Sequence, residues 1–165
     1  MPLSTHAGDL FVNGSLIANS ITLPANAVND NAVAAAANLA ASKLEHQYEP
    51  CYSQKATDDA ATDRKVIHIV YGATGTIVDF RVGAITAAGA ASSATIDLKK
   101  NGSTVLSGTI TLDNGTASLA LEQPAGYTST SLVTGDVLEV HITAVAGANL
   151  AKGLFAQLVV REKAQ

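Results

Sequence analysis

From residue 66 to the end of the chain, apolar residues recur at every second position in a series of short runs. Val78, Phe80, Val82 and Ala84 alternate with Asp79, Arg81 and Gly83, and Ala94, Ile96 and Leu98 alternate with Thr95, Asp97 and Lys99. A period of two turns one face of an extended segment inward and the other toward water, so each run reads as a half-buried strand. Asn101-Gly102 leads on to Leu106, Ile110 and Leu112, and Asn114-Gly115 to Ala117, Leu119 and Leu121. Asn-Gly tolerates the positive φ angles of a tight hairpin turn, and two such pairs in succession predict an antiparallel meander. Gly135-Asp136 opens a further run of Leu138, Val140, Ile142 and Ala144, and Leu154, Ala156, Leu158 and Val160 form the last. Counting residues 66–71, these make seven strands. The fold expected is mainly β, an antiparallel β-sandwich of jelly-roll-like type spanning 66–165.

The first part of the chain obeys other rules. Two short apolar runs, Leu10 with Val12 and Leu16 with Ile17, flank Asn13-Gly14 and predict a small hairpin. After Asn29-Asp30, a suitable N-cap, Val33, Ala37, Ala40 and Leu44 fall at helical spacing within an alanine-rich stretch. A stripe of such small residues buries little area, so this segment requires a partner surface to be ordered. Residues 1–50 are therefore expected to form an extended or helical attachment arm. Its contacts with that partner surface would be made by Leu10, Val12, Leu16, Ile17, Val33, Ala37, Ala40 and Leu44. The next stretch, polar and interrupted, predicts a linker over 51–65.

Composition narrows the picture. The chain has 165 residues, enough for one domain and an extension, and its 47% hydrophobic content comes without Trp and with only three Phe and four Tyr, so an aliphatic core is expected. Charged residues are 15% and the net charge is −4, which lacks the basic excess that a phosphate backbone requires; nucleic acid is not an expected partner. Neither a leader-like start nor a membrane-length apolar stretch occurs, so a soluble protein made in the cytosol is expected. Cys51 is the single cysteine, which rules out an intrachain disulfide and a cysteine-based zinc site.

Candidate chemistry is sparse. His68 and His141 fall mid-strand and would act as base or ligand only if the fold brought them together with a third group; a surface or satisfied core role is the plainer reading. His46 comes after the small-residue stretch and could meet its copies on a threefold axis, against the plainer reading of a polar linker residue. Cys51 beside Tyr52 has no sequence neighbour that would activate a thiol. Asp58, Asp59 and Asp63 lack the glycine and closing glutamate of a calcium loop and read as a solvated face. Residues 72–76 come after a strand but lack the lysine and helix of a phosphate loop, and read as a turn. No nucleophile-elbow or zincin motif occurs. No catalytic, cofactor or metal residue is therefore assigned.

The first fifty residues resemble segments found in virion surface proteins of tailed bacteriophages. The resemblance is carried by residues 33–46, in which a turn, Val33, an alanine-rich stretch and Ser42-Lys43-Leu44 succeed one another ahead of a β-rich part. Residues 78–80, 97–102 and 132–138 are similar to jelly-roll domains that serve as trimeric heads. Related arms can carry a His-X-His pair on the trimer axis, where this chain has His46 and Tyr48. The resemblance implies a non-enzymatic capsid decoration or head-fibre protein on the virion surface, a homotrimer bound through its arm to the major capsid protein or another virion protein. Membrane and nucleic acid are not expected partners. The alternatives are a short tail-fibre or glycan-binding module acting through the loops after Gly72, Ala88 and Ala125, and, further off, an enzyme on a jelly-roll frame.

Overall fold

Alternation becomes long antiparallel pairing in the structure, a computed structural model that describes residues 45–163. The strands are β1 (Glu45–Tyr48), β2 (Cys51–Ser53), β3 (Asp63–Ile69), β4 (Thr74–Thr86), β5 (Ser93–Lys100), β6 (Ser103–Thr104), β7 (Ile110–Asp113), β8 (Ser131–Val133), β9 (Val137–Ala146) and β10 (Lys152–Lys163). They make two five-stranded antiparallel sheets. In one the order is β1-β10-β4-β8, with β2 also on β10; in the other it is β3-β9-β5-β6, with β7 also on β5. The expectation of a mainly β, antiparallel fold is met. The arm residues Leu10, Val12, Leu16, Ile17, Val33, Ala37, Ala40 and Leu44 lie outside the described residues.

One hydrophobic cluster draws on both sheets. Phe80, Val82 and Ala84 of β4 and Leu154, Ala156, Leu158 and Val160 of β10 join Ala94, Ile96 and Leu98 of β5 and Leu138, Val140 and Ile142 of β9. These are the inward members of the period-two runs, and full burial of each leucine or isoleucine contributes roughly 1.5–3 kcal/mol. Two expected members are absent from it. Val78 is 42% exposed and Ile77 is buried instead, because the β4–β10 register shifts between Val159 and Val160. Ala144 is exposed because a second irregularity, at Thr95 and Ile96, pairs it with Thr95 while Ile142 pairs with Ile96. A bulge inserts one residue and reverses the facing of every residue beyond it, which a strict alternation cannot register.

The turns divide into one expectation met and one corrected. Asn101 and Gly102 have φ of 51° and 84°, the double positive pair of a type I′ turn, and they join β5 to β6. Asn114-Gly115 also turns, with the Gly115 N–H donating to Asp113 Oδ1 at 2.7 Å, but residues 117–121 are not a strand. The chain crosses instead to the other sheet and runs along the edge of β4. The Leu119 N–H donates to Ala84 O at 2.8 Å, the Glu122 N–H to Val82 O at 2.8 Å, and the Ile77 N–H to Thr130 O at 2.8 Å. Leu119 and Leu121 are consequently exposed rather than in the core. A free edge of β4 would offer unpaired backbone groups to other chains, and this segment occupies it.

Of the stretch 51–65, expected as a linker, residues 51–53 form β2 and 63–65 begin β3, and residues 45–48, expected in the arm, form β1. β1 pairs with residues 160–163 of β10 and β2 with residues 155–157, and Pro50, which has no N–H, sits at the break and accepts from Leu158 through its carbonyl at 3.0 Å. Tyr52 is buried, and its hydroxyl donates to Asp63 Oδ2 at 2.7 Å.

Candidate functional site

The inward series of β10 does not stop at Val160; its next member is Glu162, whose side chain is 2% exposed. A carboxylate in a core position must be satisfied or it destabilises the fold. Its partner comes from β3. There the pairing with β9 slips between Val66 and His68, so that Val66 faces Glu139 while His68 faces Leu138, an inward position. Without that extra residue His68 would point outward. With it, His68 Nε2 and Glu162 Oε1 lie 2.5 Å apart.

The other carboxylate oxygen, Oε2, accepts the N–H of Tyr71 at 3.1 Å and of Gly72 at 2.6 Å. Gly72 is required there, because a Cβ at this position would stand 2.8 Å from the Glu162 Cβ. Tyr48, opposite Val160 on β1 and still exposed, lays its ring 5.3 Å from that of His68, and the His46 ring lies 6.5 Å from that of Tyr48. Burial by itself would raise the Glu162 pKa, but the hydrogen bonds from His68, Gly72 and Tyr71 outweigh it and hold the carboxyl below the ordinary glutamate range. Both oxygens are engaged, so the group acts as a clasp that ties the end of β3, the turn at 70–72 and the end of β10 together, with β1 beside it through the Tyr48 ring.

His141 belongs to a different place. It pairs with Arg64 and with Asp97 on the outward side of its sheet, where its Nε2 lies 3.2 Å from Glu139 Oε2. Arg64 grips the same carboxylate through two nitrogens at 3.0 and 2.9 Å, and this hydrogen bond, ahead of the opposing effect of burial, keeps the Glu139 pKa low. Asp97 is buried and accepts from the Thr104 hydroxyl at 2.6 Å. His68 and His141 therefore face opposite sides of one sheet, each with its own carboxylate.

The remaining candidates are dispersed. Cys51 is exposed. Asp58 pairs with Lys55 and Asp59 with Lys152, each at 3.3 Å, while Asp63 takes the Tyr52 hydroxyl. Among the described residues no group of three or more His, Cys, Asp or Glu side chains is placed to hold a metal, and no helix is long and apolar enough to cross a membrane. The turn expected over 72–76 is confined to the residues before Thr74, where β4 begins.

Two poles organise the surface. At one, Glu45 pairs with Lys163, Lys163 with Thr74 and Thr74 with Val133; the clasp lies here, beside exposed Ile69, Tyr71 and Val133. β4 carries the chain through 13 residues, about 40 Å at the strand rise, to Thr86, which pairs with Lys152 at the other pole. There Asp59, Thr86, Gly89, Asn149, Leu150 and Lys152 line a cleft of about 400 Å³. The loops after Gly72 and Ala88 are thus at opposite poles, and the one after Ala125 lies between them along β4, so the three do not form one contact surface. Sequence reasoning missed Glu162, although the β10 alternation points to it, and the cleft, whose residues come from three separate segments. The chain matches no family model and no curated protein.

Proposed function

We propose that this chain is a non-enzymatic structural protein of a tailed-phage virion, a capsid decoration or head-fibre protein. In this reading its two-sheet body is a jelly roll and its arm, expected over residues 1–50 and joining the body through β1, attaches it to the major capsid protein or a neighbouring virion protein. The observation that carries the reading is the junction at Glu45, where the chain that bears the resemblance at residues 33–46 joins the body as an edge strand at one pole. An arm delivered at a pole leaves the rest of the body free to project.

Strand order supports the jelly roll. Apart from β1 to β2 and β5 to β7, successive strands pass between the sheets, and the orders β1/β2-β10-β4-β8 and β3-β9-β5-β6/β7 are consistent with two interlocked Greek keys, an architecture common to viral capsid and lectin domains. Assembly as a homotrimer on the virion belongs to the same reading, and several arms on one lattice would multiply a weak single contact.

The test is co-sedimentation of the full chain with purified capsids of the phage that encodes it, beside the variant Val33→Asp/Ala37→Asp. The wild type is expected to pellet with capsids and the variant to stay in solution with an unchanged melting temperature. Equal binding by both, or no binding by the wild type, refutes the proposal.

A further inference from the structure

The cleft at the pole opposite Glu45 has the build of a binding site. Three segments converge on it: the loop after β4, the loop before β10 and the stretch between β2 and β3. Backbone bonds brace them against one another. The Gly89 N–H donates to Asn149 O at 2.8 Å, the Ala60 N–H to Ala151 O at 2.7 Å and the Gly153 N–H to Asp58 O at 3.2 Å. Ser92, 3% exposed, turns its hydroxyl inward to accept the Asn149 N–H at 3.0 Å. Walls fixed in this way need no ordering when a ligand arrives, which removes one of the main costs of binding.

The lining defines the ligand. Asp59 and Lys152, 3.3 Å apart and both about half exposed, offer an acceptor and a donor side by side with no net charge. The Asn149 carboxamide and the Thr86 hydroxyl each supply both functions, and neither side chain is used in a hydrogen bond within the described residues. Leu150 and the neighbouring alanines give short apolar walls. An anion would meet the Asp59 carboxylate and a cation the Lys152 ammonium, while a sugar ring, whose hydroxyls donate and accept and whose C–H faces are apolar, satisfies every group. The volume of about 400 Å³ admits one or two rings.

We infer that this cleft is a site for an uncharged saccharide. It carries no aromatic platform, so a single site holds its ligand with a Kd on the order of 1 mM, and useful retention comes from many copies presented together.

The experiment is a titration of the isotope-labelled full chain, monitored by amide NMR. The probes are the methyl glycosides of glucose, galactose, N-acetylglucosamine and rhamnose, each raised to about 50 mM, well above the Kd given by the affinity scale. At least one should produce saturable shifts confined to residues 86–89 and 148–152. Asp59→Asn and Asn149→Ala, both changes of exposed side chains that leave the bracing bonds in place, should each weaken that response about fivefold or more without moving the melting temperature. No saturable shift with any of the four, shifts elsewhere on the body, or shifts that both variants retain in full would overturn the inference. Because the protein is tested free of capsids, failure here leaves the arm reading standing, and failure of capsid binding leaves this one.

Discussion

Removing the Glu162 side chain tests whether the clasp holds the pole together. Glu162→Ala deletes an acceptor that serves the His68 ring at 2.5 Å and the N–H groups of Gly72 and Tyr71 at 2.6 and 3.1 Å. A hydrogen bond to a charged group contributes roughly 1.5–3 kcal/mol, and breaking a buried pair costs roughly 3–5 kcal/mol. The site lies at a strand end where water can enter once the carboxylate is gone, so the low end applies and a loss of about 3 kcal/mol is expected. That corresponds to a fall in melting temperature on the order of 10 °C for a body of this size.

Glu162→Gln separates charge from shape. The folded-state pKa of Glu162 is depressed, so the carboxylate's contribution is complete above about pH 4.3, the unfolded value, and is lost as the pH falls from there through the folded value. The glutamine variant should be less stable than wild type at pH 7 and should lose less on acidification below about pH 4.3. Urea unfolding of the three proteins across this range makes the measurement. If Glu162→Ala lies within about 1 kcal/mol of wild type at pH 7, or Glu162→Gln tracks the wild-type acid limb, the clasp is not the contributor described.

A chain beginning at Glu45 is expected to melt with the full chain, whereas one beginning at Lys65 loses β1, β2 and buried Tyr52, uncovers an edge of β10 and should melt on the order of 10 °C lower or fail to fold; thermal unfolding monitored by circular dichroism distinguishes these results. Gly83→Ala places a Cβ 2.6 Å from Ala120 O and 2.7 Å from Phe155 Cζ, and calorimetry should show a loss of about 1–3 kcal/mol.

The strands that can be read from the chain are those that bury one whole face. β4, β5, β9 and β10 each carry an inward apolar series, and the type I′ turn at Asn101-Gly102 is legible because few other pairs tolerate its geometry. β1 and β2 cannot be read this way. Their sequences, EHQY and CYS, are too short and too polar to alternate visibly, and what holds them is the hydrogen-bonding edge of β10. Leu119 and Leu121 mislead in the opposite direction, having a strand's alternation on a segment whose task is to cover β4. The bulges are the least readable feature, since an inserted residue looks like any other. The one at residues 66–68 decides that His68 meets Glu162, which is why the clasp emerges only from register. The cleft is invisible for a related reason, because Asp59 and Lys152 are far apart in sequence and meet only through the antiparallel bridge between them.

Glu45 and Lys163 are direct cross-strand partners, so the polypeptide comes into the body and goes out of it through adjacent points. A module with that property can be spliced into a surface loop of an unrelated host protein without spreading the ends of the loop. It would then stand on its host like a plug on two parallel pins, with the loops around Gly89 and Asn149 facing away as the natural place for grafted peptides. A cargo fused after Lys163, by contrast, would stand beside Glu45, where β1 begins.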